Sequence, residues 1–416
     1  MSATLTTLAG AIKVKYLGKV RNQLNRQSVL YDRLKRFQET VDGKNYTYAL
    51  NTGRNTSAGR GIADGGLFPA PGHQAVTTAV VPDVEITSGM EVTGRAIKAS
   101  KTDMGSFVRA TRFEMDNMKD DLIRSVNRQL HGDGRDALAF WTAADDTSGT
   151  NVDDGQGNAF VYLDSGNTMT CDLIDATDNS AVLGDSIVVT LGAEGASSFA
   201  ITYTGLVSGS ADTDYLVLDD TLGLQMMGIR GVIDDANPPL LSGGLHGISV
   251  TSANGYWKAQ VNGNSGTLRG LSLPLMQRPL SKIARNSPFK EDDVEFLLTN
   301  TGVRDKYIDL CVALKSAPNT MKLDGGQEVV TFNGKPVIVD PQCRENVIYY
   351  INPKTMNVLT SSDGIQWADF EDGSIFQKKP GSGSYYDAYQ AFMVFYGNLA
   401  TSARNGNGLL EDVSIS

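Results

Sequence analysis

Reactive side chains are scarce in this chain of 416 residues. Its 3 cysteines, Cys171, Cys311 and Cys343, are an odd number, widely spaced and without a Cys-x-x-Cys pair, which argues against both a disulfide framework and a zinc site. Each reads as a small buried hydrophobe. The 3 histidines, His73, His131 and His246, stand far apart and form no His-Glu-x-x-His motif. There is no Gly-x-x-x-x-Gly-Lys-Ser/Thr phosphate loop and no Gly-x-Ser-x-Gly elbow. The GDGRDA stretch at Gly132 is a poor dinucleotide fingerprint because no strand precedes it. Two carboxylates among 47 acidic residues are no evidence for a glycosidase pair. No catalytic, cofactor-binding or metal-binding residue is expected, and the chain is not read as an enzyme. No apolar run approaches the roughly 18 residues of a membrane span, and the first residues lack the apolar core of a signal peptide, so a cytosolic protein with no membrane partner is expected.

Charge is segregated. Residues 1–60 carry 11 basic against 3 acidic side chains, whereas residues 141–243 carry 1 against 16. Such regions suit a protein that meets charged surfaces, copies of itself included. Lysine is absent from residues 45–97, where Arg54, Arg60 and Arg95 are the only cations.

What is present is periodicity. Met104, Phe107, Val108, Met115, Met118, Leu122, Val126 and Leu130 recur three or four residues apart, one apolar stripe of a helix running from Thr102 to His131. About 30 uninterrupted residues make a rod of roughly 45 Å. Thr102 and Asp103 can cap its start, Gly132 and Gly134 supply the stop, and Arg109, Arg112, Arg124 and Arg128 fall largely off the stripe. Before it, residues 8–37 form a basic amphipathic arm with Leu8, Ile12, Tyr16, Val20 and Leu24 at helical spacing. That face fits a neighbouring subunit better than a membrane or nucleic acid.

From Asn45 the period becomes two, with Tyr46, Tyr48 and Leu50 on one side. Residues 51–72, with 6 glycines and 2 prolines, have no regular structure of their own. Alternation resumes through Val76 to Ile97, so residues 45–97 read as a long β-hairpin with Arg54 and Arg60 at its tip. A two-stranded arm is marginal in water and must lie on something. No aromatic residues interleave with the tip arginines, which weakens a nucleic-acid reading. Residues 145–158 read as a polar linker, and residues 160–233 as a small antiparallel β domain with strands near Met169–Ile174, Ser186–Leu191, Phe199–Tyr203 and Tyr215–Leu218. Its carboxylates raise a calcium hypothesis, but Asp172, Asp175 and Asp178 miss the EF-hand spacing, and a solvated acidic surface is the preferred reading. Further on come a helix from about Leu271 to Ala284 interrupted by Pro274, a buried strand at 294–299, a helix from Gly302 to Leu314, a hairpin turned at Asn333-Gly334, and a long aromatic strand from Tyr385 to Leu399, together implying one mixed sheet.

In this order of parts, and in the stretches NRQLHGDGRDALA, MMGIRGVIDD, TNTGVRDKY, LDGGQEVVTFNGKPVIVD and FYGNLATSARNGNGLLED, the chain resembles the major capsid proteins of tailed bacteriophages. The resemblance covers nearly everything except residues 145–226. It implies an α+β fold: an N-terminal arm (1–44), an extended hairpin loop lying over the adjacent subunit (45–97), a spine helix in a peripheral domain (98–144), an inserted acidic antiparallel β domain (145–233), a mixed peripheral and axial domain (234–375) and a return strand (376–416). The implied function is a major capsid protein that self-assembles in hexamers and pentamers into an icosahedral shell around double-stranded DNA. Implied partners are a separate scaffolding protein, a portal and a decoration protein, with DNA touched only non-specifically from inside. The implied intersubunit residues are Arg54, Arg60, Phe68, Tyr46 and Tyr48. Some relatives weld subunits through a loop lysine; a lysine-free loop implies a non-covalent shell here. Two other readings stay open: an encapsulin-like bacterial shell, and an intracellular β-rich enzyme or carbohydrate-binding module.

Overall fold

The computed structural model describes residues 29–34, 39–40, 45–55, 57–59, 61–95, 104–135, 137–144, 148–152, 168–194, 198–204, 214–251, 254–313, 320–322, 328–360, 364–368 and 375–415. Of the arm read over residues 8–37, residues 8–28 and 35–37 lie outside them, as do both proposed caps of the spine helix and Arg60.

The spine helix runs Met104–His131, 28 residues. Met118, Leu122, Val126 and Leu130 are its buried stripe, and Gly132 N–H closes the end on the Gln129 carbonyl at 3.0 Å. Arg124 and Arg128, expected off the stripe, are each only 9% exposed, because the helix is covered on more than one face. One cover is the short helix Val29–Leu34, whose Leu30, Tyr31 and Leu34 join the same core. Another is the return strand Tyr385–Thr401, 17 residues long, whose Met393, Phe395 and Leu399 enter the same core, with the Phe395 ring edge-on to Tyr31 at 6.3 Å.

The return strand is the centre of a six-stranded sheet. Strand Glu85–Thr93 lies antiparallel to it from Tyr396↔Glu85 to Ala388↔Thr93. The expected hairpin over 45–97 is therefore split. Only Asn45–Gly53 and Ala75–Pro82 pair with each other as a ribbon, and the chain then turns at Asp83 into a different sheet. Period-two alternation reports a strand without naming its partner, which here lies about 300 residues away.

A second, seven-stranded sheet holds Phe296–Thr299 at its middle, parallel to Lys335–Val339 and antiparallel to Ile348–Ile351. The single mixed sheet expected from sequence is thus two. The Asn333-Gly334 turn forms as read, with φ of 48° and 76°, the left-handed pair a two-residue hairpin requires. The helix Leu273–Asn286 carries Pro274 in its first turn rather than being interrupted by it; Ser272 caps it by accepting the Leu275 N–H at 3.4 Å, and Pro279 lies inside it.

The acidic block closes into a six-stranded antiparallel barrel. It takes in Ala139–Ala144 and Ser148–Val152, so part of the expected linker over residues 145–158 is barrel strand. Serine, threonine and asparagine read as linker because that strand lacks apolar alternation. Leu173, Ile187, Val189 and Leu216 give the barrel its own core, separate from the main one. The three cysteines are buried and free.

Candidate intersubunit interface

The ribbon divides into a root that its own subunit covers and a tip that none of the other described residues covers. Side chains of Tyr46, Tyr48, Ala79 and Val81 share one face, because opposite residues in an antiparallel pair point the same way and the register pairs Tyr46 with Val81 and Tyr48 with Ala79. Tyr46 and Val81 pack on Leu359 and Ala400, and Ala79 on Ile248 and Trp257. Tyr46 is 2% exposed; burial, with the neighbouring Asp83 carboxylate, pushes its phenol up to about 12, so it stays protonated and donates to Asp83 at 3.4 Å. Tyr46 is thus spent within its own subunit, and half-buried Tyr48 belongs to the same root. Neither is free for the neighbour that the resemblance implied.

Beyond Leu50 the ribbon leaves the body. Its register slips between Asn51 and Gly53, where a Cβ on Gly53 would press to 2.6 Å from that of Ala75. The tip is closed by its own polar groups: Asn55 Oδ1 accepts from Ser57 N at 2.9 Å and Ser57 Oγ at 2.7 Å, and Gly66 N–H bonds the Ala63 carbonyl at 2.8 Å. What it presents outward is apolar. Leu67 is 96% and Phe68 89% exposed, and Arg54 is exposed as well. Of the expected contact residues, only Arg54 and Phe68 are seen at an open surface, and Leu67 joins them. A leucine and a phenylalanine between Gly-Gly and Pro were the signal available for it.

A groove of ≈ 570 Å³ opens beside the ribbon root. Asn398 of the return strand builds two of its walls: its Nδ2 donates to the Pro82 carbonyl at 2.9 Å and its Oδ1 accepts the Met227 N–H at 2.9 Å. The third wall is the loop around His246, whose carbonyl accepts the Val80 N–H at 2.9 Å. His246 takes a left-handed φ of 55°, and its Nε2 accepts the Thr401 N–H at 3.2 Å. Burial first, then the nearby Arg404 charge, lowers its imidazole to about 3, which keeps that acceptor neutral. Val80, Pro82, Leu224 and Leu241 make the lining apolar, with Asp83 and Glu85 also in the wall. Among the described residues, Asp83 accepts from the Tyr46 hydroxyl and Glu85 from the Tyr396 hydroxyl at 3.2 Å, and no lysine or arginine pairs with either carboxylate.

The loop that forms this groove is pinned behind by Arg404, which is fully buried. Its guanidinium donates to the carbonyls of Val232 at 2.9 Å, Gly231 at 3.1 Å, Ala236 at 2.9 Å and Trp257 at 3.3 Å. Gly228 lies so close to the end of the spine helix that a Cβ there would collide with the carbonyls of Gln129 and Gly132. The MMGIRG stretch is therefore a docking seam.

In the barrel, Asp175 caps its own turn through Thr177 N–H at 2.7 Å and Asp178 bonds Ser180. Asp172, Asp185 and Asp219 do approach within 4.8 Å of one another. Asp172 accepts the N–H groups of Ser186 and Asp220, each at 2.9 Å, and Asp219 accepts from Ser186 Oγ at 2.8 Å, so two of these carboxylates hold strand ends together.

A ribbon, a spine helix and two sheets, the six-stranded one built around the long return strand, make up this architecture. No family model matches the chain, and no curated protein does. Solved structures do. The capsid asymmetric unit of cyanophage A-1(L) aligns over 99% of this chain and 99% of its own, with TM-score 0.63 and 12% identity. The capsid of a native GTA particle aligns over 100% of each chain, with TM-score 0.50 and 8% identity. The SrpI encapsulin complex of Synechococcus elongatus PCC 7942 aligns over 100% of this chain and 97% of its own, at TM-score 0.45 and 10% identity. The chain has the tailed-phage major capsid fold.

Proposed function

We propose that this chain is the major capsid protein of a tailed bacteriophage, assembling through hexamers and pentamers into a closed, non-covalent icosahedral shell around double-stranded DNA. The observation that carries the proposal is the ribbon: a two-stranded arm whose end loop leaves the large apolar side chains of Leu67 and Phe68 almost fully exposed. Copies of one chain joined head to tail in rings satisfy every ribbon at once, and weak contacts repeated around a closed shell add up. The acidic barrel is an inserted domain facing outward, because its carboxylates repel packaged phosphates. A separate scaffolding protein, a portal and a decoration protein complete the particle, which is built in the host cytoplasm. Because residues 45–97 lack lysine, no loop amine is available for an isopeptide weld. Particles boiled in detergent should run as one band at the monomer mass; a ladder of linked oligomers would refute the non-covalent shell.

A further inference from the structure

We infer that Arg135 is a clamp that fixes the pose of the acidic barrel on the body, gripping the neck strands by two aromatic rings and the end of the spine helix by one carboxylate. The chain enters the barrel through Ala139–Ala144 and leaves it through Tyr215–Leu218, and a neck of two strands is by itself a hinge. The apolar clusters of the barrel are separate from the main core, so among the described residues no shared hydrophobic layer keeps the barrel from tilting.

Arg135 supplies the brace. Its Nε donates to both Asp133 oxygens at 3.2 Å and its Nη2 to Oδ2 at 2.8 Å, and only 11% of its side chain is exposed. The guanidinium carbon lies 5.1 Å from the Phe140 ring centroid and 5.0 Å from that of Tyr215. Those rings stand opposite each other on the first and last barrel strands, with centroids 5.8 Å apart. Asp133 follows directly on the spine helix, and the Gly132 carbonyl beside it accepts the Gly231 N–H at 3.4 Å. The same carboxylate lies 3.7 Å from Arg230 Nε in the short helix Ile229–Val232 of the returning chain, and that guanidinium is 6.0 Å from the Phe140 ring. Burial opposes the charge on Asp133, but the Arg135 hydrogen bond and the charges of both arginines outweigh it and hold the carboxyl below its usual range. A guanidinium kept from water is held by ring faces and by a carboxylate more strongly than it would be in solvent. Barrel and helix end therefore move as one rigid piece, and a change in the direction of the helix end turns the barrel with it. This holds in the single chain, whether or not copies assemble.

Spin labels on Thr168→Cys in the barrel and Ala284→Cys in the body, both exposed positions, read the pose as a distance distribution in labelled chain diluted into an excess of unlabelled chain. The native cysteines are buried, so the labels go to the new thiols. With Arg135 in place one narrow distance is expected. Arg135→Met should broaden it by about twofold or more, while amide exchange at Ile187 and Val189 in the barrel core and at Val126 in the spine helix stays within about twofold of the parent's. If Arg135→Met does not fold, Phe140→Leu, which leaves the Asp133 pair in place, should broaden the distance in the same way. A distribution already broad in the parent, or an unchanged width in the variant that folds, overturns the inference. Exchange that quickens throughout the barrel core overturns it too, because the barrel would then be unfolding rather than swinging.

Discussion

His131 Nε2 lies 3.1 Å from Asp340 Oδ2, the last residue of the spine helix against the end of a strand in the seven-stranded sheet. The same oxygen accepts the Leu30 N–H at 3.1 Å and Asn127 Nδ2 at 3.2 Å, while Asn127 Oδ1 accepts the Tyr31 N–H at 2.9 Å. One buried carboxylate thereby ties the short Val29–Leu34 helix, the spine helix and the sheet together. Burial opposes its charge, but the His131 charge and hydrogen bond, with those from Gln342 and Asn127, outweigh that and hold Asp340 at about 2. Removing the acceptor strands several buried donors at once. Asp340→Ala should cost about 3 to 5 kcal/mol in chemical denaturation of the unassembled chain, and should expose Val29–Leu34 to amide exchange. A loss below about 1 kcal/mol would mean that the cluster does not hold the helix.

His246 gives the chain a pH dependence of known sign. Its folded value of about 3 lies below the unfolded value of about 6.5, so its contribution is full above pH 6.5 and declines as pH falls toward 3. Between pH 6.5 and 5 this group should remove about 2 kcal/mol of unfolding free energy. His246→Gln keeps an acceptor for Thr401 N–H and should flatten that part of the profile. An unchanged slope would show that the imidazole is not buried neutral.

Arg404 holds four backbone carbonyls and makes no ion pair among the described residues. Arg404→Met should free all four and destabilise the chain by more than about 3 kcal/mol, with the groove loop the first region to lose amide protection. A lysine cannot reach four carbonyls arranged in a fork, so Arg404→Lys should recover only part of the loss. Full recovery would contradict the fork geometry.

The barrel should be separable. Its entry and exit touch where Leu138 N–H bonds the Leu216 carbonyl at 2.7 Å, so residues 139–218 can be replaced by a short glycine-serine bridge. The neck residues lost are Phe140 and Tyr215, whose rings lie 5.1 and 5.0 Å from the Arg135 guanidinium. The shortened chain should still melt cooperatively, since the barrel has its own core. A broad, non-cooperative melt would show that the body depends on the barrel.

Local signals were legible in the sequence and distant pairings were not. The spine helix, the Asn333-Gly334 turn and the return strand were written in spacing and turn chemistry, which depend on near neighbours. The partner of Glu85–Thr93 and the division into two sheets depend on segments hundreds of residues apart, and no local pattern encodes them. Ser148–Val152 was missed because a strand of small polar residues carries no apolar alternation. In the ribbon, Arg54 and Phe68 are exposed, whereas Tyr46 is buried within its own subunit. Alternation placed Tyr46 and Tyr48 on one face, but whether that face meets the same subunit or its neighbour is a tertiary fact. The groove, assembled from five separate segments, had no sequence signal at all.

Cryo-electron microscopy of the purified chain, concentrated without any partner, tests the central claim most directly. The account predicts rings or closed icosahedral particles of one repeated subunit, each ribbon lying across the neighbouring copy. A monodisperse monomer at all concentrations, with ribbons free in solvent, would contradict it.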